Sequence, residues 1–77
     1  VESIEKDKIY KIKEIVRDKP SYMNYGLIED VLLRVIDKSS DNKNFYLEVI
    51  GFNRKIAISV EFLQDMILEE VSDDKKG

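Results

Sequence analysis

The chain has 77 residues, of which 13 are basic and 16 acidic, for a net charge of −3. It contains no His and no Cys, which removes the commonest general base, thiolate metal sites and disulfides. A chain of this length predicts a single domain over residues 1–77. Its polar end, residues 72–77, is expected to be a frayed tail.

The first predicted element is an amphipathic helix over residues 4–18. At about 100° per residue, its apolar side chains share one face. They are Ile4, Ile9, Ile12, Ile15 and Val16. Ser3 is a suitable N-cap, and Pro20 marks the end of the helix. A strand over Ile9–Val16 is the competing interpretation, and it places Ile9 and Ile15 on the face opposite Ile12.

Residues 27–37 are compatible with two structures. On a helix, the apolar residues of this segment all lie on one half of the helix surface except Leu33, which lies on the other. On a strand, Val31, Leu33 and Val35 face one way, while Leu32 and Ile36 face the other. The helix is the favoured interpretation, because Glu29 and Asp30 lie near its N-terminus, where the helix dipole stabilises negative charge.

A β-hairpin is predicted over Phe45–Val60. A two-residue turn at Asn53-Arg54 pairs residue 52 with residue 55 and places Leu47 opposite Val60 and Val49 opposite Ile58. Because Asn-Arg is a weaker turn signal than Asn-Gly, a longer turn that includes Gly51 remains open.

Ser59 is then expected to cap a C-terminal helix over Val60–Val71. The predicted fold is therefore α+β, a small antiparallel hairpin or sheet flanked by N-terminal and C-terminal helices. If residues 9–16 and 28–37 are strands instead, the alternative is a small SH3-like β-barrel with a C-terminal helix.

Catalytic and cofactor motifs are missing from the sequence. There is no Ser/His/Asp set, Cys nucleophile, HExxH motif or Gly-rich phosphate loop. The segment 37–48 has oxygen ligands at some calcium-loop positions, but Asn42 stands where the sharp turn needs Gly. We therefore expect a protein that is not an enzyme and has neither a cofactor nor a metal site.

Acidic residues concentrate towards the end of the chain, where residues 61–77 hold two basic and six acidic side chains. Glu61, Asp65 and Glu69 are spaced by four residues on the predicted C-terminal helix. We call these three residues the acidic ridge. They form a candidate protein interface, because a charged face can dock on a basic partner.

Exposed aromatic residues extend this candidate interface. Tyr22 and Tyr25 follow Pro20, and Tyr46 and Phe52 lie on the outer face of the predicted hairpin. Large, stiff aromatic side chains are enriched at contact surfaces. Alternatively, Tyr22 and Tyr25 cover the edge of the protein's own core. The alternative for Tyr46 and Phe52 is that a helix of the same chain covers the outer face of the hairpin.

Four residues of the first predicted helix form a candidate basic stripe, namely Lys6, Tyr10, Lys13 and Arg17. Such a stripe can contact phosphate or an acidic protein. The net negative charge and the neighbouring Glu14 argue against nucleic-acid binding. The stripe can also complement the acidic ridge within a monomer or dimer.

Composition also indicates the kind of genome. Ile and Lys number ten each, whereas Ala and Pro appear once each. Such a bias is typical of proteins encoded by AT-rich genomes. The favoured function is a protein-binding effector that inhibits or regulates a larger, unidentified protein, encoded by a phage or mobile element, for example an anti-restriction inhibitor. The alternatives are a nucleic-acid-associated accessory domain and a small structural or assembly subunit that forms homo-oligomers.

No apolar stretch approaches the roughly 20 residues of a membrane span, and the first residues lack the apolar core of a signal peptide. The expected location is therefore the cytoplasm without membrane association. For a phage protein it is the host cytoplasm or the virion.

Overall fold

A computed structural model describes residues 4–71 of the chain. They form five strands in the order β4-β3-β2-β1-β5, with every neighbouring pair antiparallel. The strands are β1 (Ile9–Ile15), β2 (Leu32–Lys38), β3 (Asn44–Ile50), β4 (Arg54–Ser59) and β5 (Met66–Val71). A short helix α1 (Lys19–Met23) lies between β1 and β2, and a 3-10 helix (Val60–Gln64) precedes β5. The predicted frayed tail, 72–77, lies outside the described residues.

The N-terminal helix predicted over residues 4–18 is wrong, because the middle of this segment, Ile9–Ile15, is strand β1. The side chains of Tyr10, Ile12 and Ile15 are buried, and the pairing with β5 shifts register between Ile12 and Glu14. Such an irregularity adds one residue to the alternation of the strand. Buried positions spaced by two and then by three residues resemble a helical period, and this resemblance misled the sequence interpretation.

The helix favoured over residues 27–37 is also wrong, and the strand interpretation is confirmed. Leu33 and Val35 are buried, Val31 lies at the boundary of burial, and β2 extends to Lys38. Its pairing with β3 shifts register between Val35 and Asp37. β2 lies between β1 and β3 in the middle of the sheet, and an inner strand buries more of its residues than an edge strand.

The β3–β4 hairpin is confirmed, but its predicted register is wrong. Leu47 pairs with Ile56, and Val49 pairs with Arg54. The longer turn is the correct alternative, since both Gly51 and Asn53 adopt positive φ. The two registers differ by an even number of residues, so the predicted division of each strand into two faces still holds.

The predicted C-terminal helix is wrong beyond its first turn. Ser59 does cap a helix, because its Oγ accepts a hydrogen bond from the Glu61 amide at 3.3 Å, but that helix is of the 3-10 type and ends at Gln64. Phe62 and Met66 are both buried, and their four-residue spacing imitates a helical face across the junction between the 3-10 helix and β5.

The helix-flanked α+β fold is therefore incorrect. The five-stranded antiparallel sheet agrees with the SH3-like alternative, except that a strand replaces the C-terminal helix which that alternative included. Within residues 4–71 no helix is long and apolar enough to span a membrane.

The core consists of apolar side chains from all regular elements except α1 and β4. On its inner side, Phe62 of the 3-10 helix meets Phe45 of β3 edge to face, with ring centroids 6.0 Å apart. Ile56 and Ile58 of β4 pack against this core while remaining partly exposed. β4 is therefore the incompletely covered edge of the sheet, and it borders the candidate site.

Candidate functional site: a groove between helix α1 and strand β4

The connection between β1 and β2 carries the tyrosines of the site, Tyr22 within α1 and Tyr25 in the turn that follows it. Pro20 lies in the first turn of α1, where its missing N–H costs nothing, so it begins a helix instead of ending one. At the other end, the Leu27 amide donates to the Tyr22 carbonyl, and the Gly26 amide donates to the Met23 carbonyl. With Gly26 at φ 82°, this is a Schellman cap, and it delivers Leu27 into the core.

Tyr22 links α1 to Asp65, the residue that precedes β5. Its phenolic hydroxyl donates to Oδ2 of Asp65 at 2.6 Å. Burial of the ring and this hydrogen bond raise the pKa of Tyr22 well above its ordinary value. Asp65 also accepts the amides of Val16 and Arg17 through its carbonyl. The β1–β2 connection is thus tied at several points to the residue that precedes β5.

A groove of about 270 Å³ separates α1 from β4. One wall carries Tyr22 and Tyr25, and the other is formed by residues 56–59 of β4. Asp18 and Ser21 complete the lining. The volume is slightly below the roughly 300–1,000 Å³ of small-molecule sites. The groove therefore suits side chains of another protein better than a metabolite.

A second hollow, of about 450 Å³, lies at the Arg54 end of β4. It is lined by Gly26, Val49, Phe52 and Arg54. Gly26 lies against the Arg54 guanidinium, since a Cβ built on it would stand 3.7 Å from Nη1. Residues 18–26 therefore run beside β4 in the opposite direction, from its Ser59 end to its Arg54 end. The two hollows together are lined by every residue of β4 except Lys55.

The outer edge of β4 presents unpaired backbone groups to these hollows. The Val60 amide donates to the Lys43 carbonyl at 2.8 Å, and residues 43 and 60 continue the β3–β4 register. Hydrogen-bonded and non-bonded pairs alternate along an antiparallel ladder. Lys55, Ala57 and Ser59 therefore direct their N–H and C=O groups away from β3. Within residues 4–71, no strand pairs with that side of β4.

Charge is distributed unevenly along the site. Arg54 and Lys55 stand at one end and form no ion pair with a carboxylate of the described residues. Asp18 lines the groove together with residues 56–59, towards the other end of β4. The site is therefore positive at the start of β4 and negative at its end.

The acidic ridge does not exist as a helical face, because Glu61 lies in the 3-10 helix, Asp65 at the junction that follows it, and Glu69 in β5. Asp65 is 3.6 Å from the Arg17 guanidinium, and Glu69 on β5 is 3.7 Å from the Lys13 ammonium. Glu61 in the 3-10 helix is exposed. Of the three carboxylates, two are thus engaged within the chain.

The basic stripe is likewise not a helical stripe. Tyr10 is buried, and its hydroxyl accepts the Glu5 amide at 3.0 Å. Lys6 lies 4.0 Å from Asp37. Lys13 and Arg17 contact Glu69 and Asp65, so these members of the two charged surfaces face each other within one chain.

The remaining aromatic candidates lie at different places. Phe52 is 62% exposed at the β3–β4 turn and lines the second hollow. Tyr46 projects from the outer face of β3, between Asp37 and Ala57 on the neighbouring strands, and does not line either hollow. Of the predicted interface, Tyr22, Tyr25 and Phe52 therefore line the two hollows beside β4, and Tyr46 does not.

Sequence reasoning missed the contribution of β4 itself. Local sequence patterns place Ile56 and Ile58 in a hairpin strand but assign them no part in binding. The free edge of β4 depends on the order of the strands in the sheet, which no local pattern indicates. In the described residues no cluster of three or more Asp or Glu side chains could hold a metal ion. In the loop before β3, Asp41 accepts hydrogen bonds from Ser39 and from the Lys43 amide instead.

Comparison with known proteins supports the fold alone. No family model matches the chain, and no curated protein matches it. Among solved structures, the NMR structure of a FeoA-like protein from Clostridium acetobutylicum superposes with a TM-score of 0.81, covering 99% of this chain and 90% of that one at 14% identity. The similarity is consistent with an SH3-like barrel.

Proposed function

We propose that the chain is a small, non-catalytic accessory domain that binds a larger protein through the groove between α1 and β4. The observation that carries the proposal is a groove lined by Tyr22 and Tyr25 beside the unpaired edge of β4. Tyrosines that contribute large area with little loss of conformational freedom are typical of protein-binding surfaces.

The exposure of the groove residues supports binding of another protein. Tyr25, which lines the groove, is 52% exposed, and Phe52, which lines the second hollow, is 62% exposed. Exposed apolar residues that cluster mark interaction sites more often than isolated ones do. Burial of this cluster by a partner would supply the driving force for association.

The similarity of the fold to that of a FeoA-like protein suggests which kind of accessory domain this is. By extending the similarity, we propose that this chain works as a FeoA-like accessory domain and not as a phage-encoded inhibitor. Neither the fold nor the comparisons support a phage or mobile-element origin. Nucleic-acid binding is also not part of the proposal, since three cations of the basic stripe lie near carboxylates of the same chain.

Affinity capture from cells of the source organism tests the proposal. The baits are the wild-type domain, a Tyr25→Glu variant, and an Ile67→Glu control, which alters a half-exposed residue on β5 at the opposite edge of the sheet. The expected result is a protein retained by the wild type and the control but lost with Tyr25→Glu, with the same ranking when the purified partner is used. A partner retained equally by all three baits would contradict the groove.

A further inference from the structure

We propose that the groove receives its partner by β-strand addition, so that an extended segment of the partner protein pairs with the outer edge of β4. This inference rests on the proposed function and specifies its binding mode. Its basis is the juxtaposition of an unpaired strand edge with a groove, lined by Tyr22 and Tyr25, over the same residues, 56–59.

The backbone supplies one half of the recognition. Lys55, Ala57 and Ser59 direct three N–H donors and three C=O acceptors away from β3, as the alternation of the β3–β4 ladder requires. Edge groups of this kind form a template for another strand. A partner strand of about six residues matches the length of β4.

Side-chain positions supply the other half. Ile56 and Ile58 lie on the face opposite that of Lys55, Ala57 and Ser59. A partner residue placed opposite either isoleucine would direct its side chain to the same side, towards Tyr22 and Tyr25. The expected segment therefore has apolar residues at alternate positions and polar residues between them.

The charges beside β4 define which charges we expect at the two ends of the partner segment. In an antiparallel arrangement, the N-terminal end of the partner strand lies near Ser59 and Asp18, and its C-terminal end lies near Arg54 and Lys55. The fitting partner has a basic or free amino group at the first end and acidic residues at the second.

A second copy of this chain is disfavoured as the occupant, because β4 carries Lys55, and lysine on an edge strand is a common protection against self-pairing. The occupant is therefore an acidic-ended segment of another protein.

A synthetic peptide tests this binding mode. The probe alternates Ile and Thr, begins with Lys and ends with two Glu, and its binding is followed by amide chemical shifts of the full chain. The shifts are expected at residues 55–59 and at Tyr22 and Tyr25. No shift at millimolar peptide, or shifts confined to β5, would overturn strand addition.

Two N-methylated peptides sharpen the test. With Ile directed to the groove, the Thr amides point to β4 and the Ile amides point away. Methylation of two Thr amides is expected to weaken binding about tenfold, and methylation of two Ile amides less than about threefold. Equal effects of the two peptides would overturn the proposal.

An Ala57→Pro variant removes one outward N–H without removing a donor to β3, and Ala57→Ser is its matched control. We expect Ala57→Pro to weaken peptide binding about threefold to tenfold, while Ala57→Ser leaves it unchanged. If a captured partner is lost with Tyr25→Glu but retained by a folded Ala57→Pro variant, strand addition fails and the proposed function stands. If neither change affects capture, both fail. Should Ala57→Pro not fold, the N-methylated peptides decide.

Discussion

The Tyr22 hydroxyl lies 2.6 Å from Asp65 Oδ2, across 43 positions of the sequence. This hydrogen bond joins α1, which forms one wall of the groove, to the residue that precedes β5. The shape of the groove therefore depends on a contact between the β1–β2 connection and the last part of the sheet.

Loss of this hydrogen bond is expected to lower stability. Replacing Tyr22 with Phe retains the ring but leaves the Asp65 carboxylate with one donor fewer. Because the acceptor is charged and the site is partly buried, we expect a decrease of about 1–2 kcal/mol in the free energy of unfolding. Urea denaturation measures it. Tyr25→Phe is the control, expected to stay within about 0.5 kcal/mol, and equal effects of the two changes would contradict this role.

The same tyrosine predicts an alkaline stability limit. Burial and the bond to Asp65 raise the pKa of Tyr22 in the folded chain above 10.0, the ordinary value that applies to the unfolded chain. Above that pH the unfolded chain loses the proton while the folded chain retains it, so the stabilisation is complete below pH 10.0 and declines as pH rises further.

The measurement is the unfolding free energy of wild type and Tyr22→Phe at pH 9 and at pH 10.5. Their difference should be constant below pH 10.0 and shrink above it, by at most about 1.4 kcal/mol per pH unit. A difference that grows at high pH would show that the sign is wrong.

The left-handed conformation of Gly26 gives a third prediction. At φ 82° a Cβ is strained even though the space around it is adequate, with the nearest heavy atom at 3.7 Å. Gly26→Ala should therefore destabilise the chain by about 1–2 kcal/mol. Gly26→Asn should cost less, because Asn tolerates this conformation. Thermal unfolding distinguishes them, and the reverse ranking would argue against the Schellman cap.

Hydrogen exchange tests the free edge of β4. The amides of Ile56 and Ile58 donate to β3, whereas those of Lys55, Ala57 and Ser59 point outward. We expect slow exchange at the first two residues and fast exchange at the other three. Protection of all five amides would mean that something already covers the edge.

The sequence predicted the β3–β4 hairpin, the Ser59 cap and the face assignment of Leu47 and Val49, because these features depend on residues close together in the chain. It failed on β1, where the irregularity between Ile12 and Glu14 replaces strict alternation with spacings of two and three residues. That pattern has no signal that distinguishes it from a short amphipathic helix.

The candidate site was only partly predictable. Tyr22 and Tyr25 stood out by composition, but their position beside β4 depends on the long-range bond between Tyr22 and Asp65. The sequence offers the alternative that the basic stripe complements the acidic ridge, and the antiparallel contact between β1 and β5 places one such pair together, Lys13 and Glu69. The free edge of β4 follows from strand order, which is a property of the whole sheet.

Site-specific photo-crosslinking tests the groove most directly. A benzophenone amino acid replaces Tyr25 in one variant and Ile67 in another, since both residues are about half exposed but lie at different parts of the fold. In source cells, we predict that position 25 crosslinks to one partner protein through an extended segment, and that position 67 does not. Crosslinking of the same partner from position 67 alone, or equally from both positions, would contradict binding through the groove between α1 and β4.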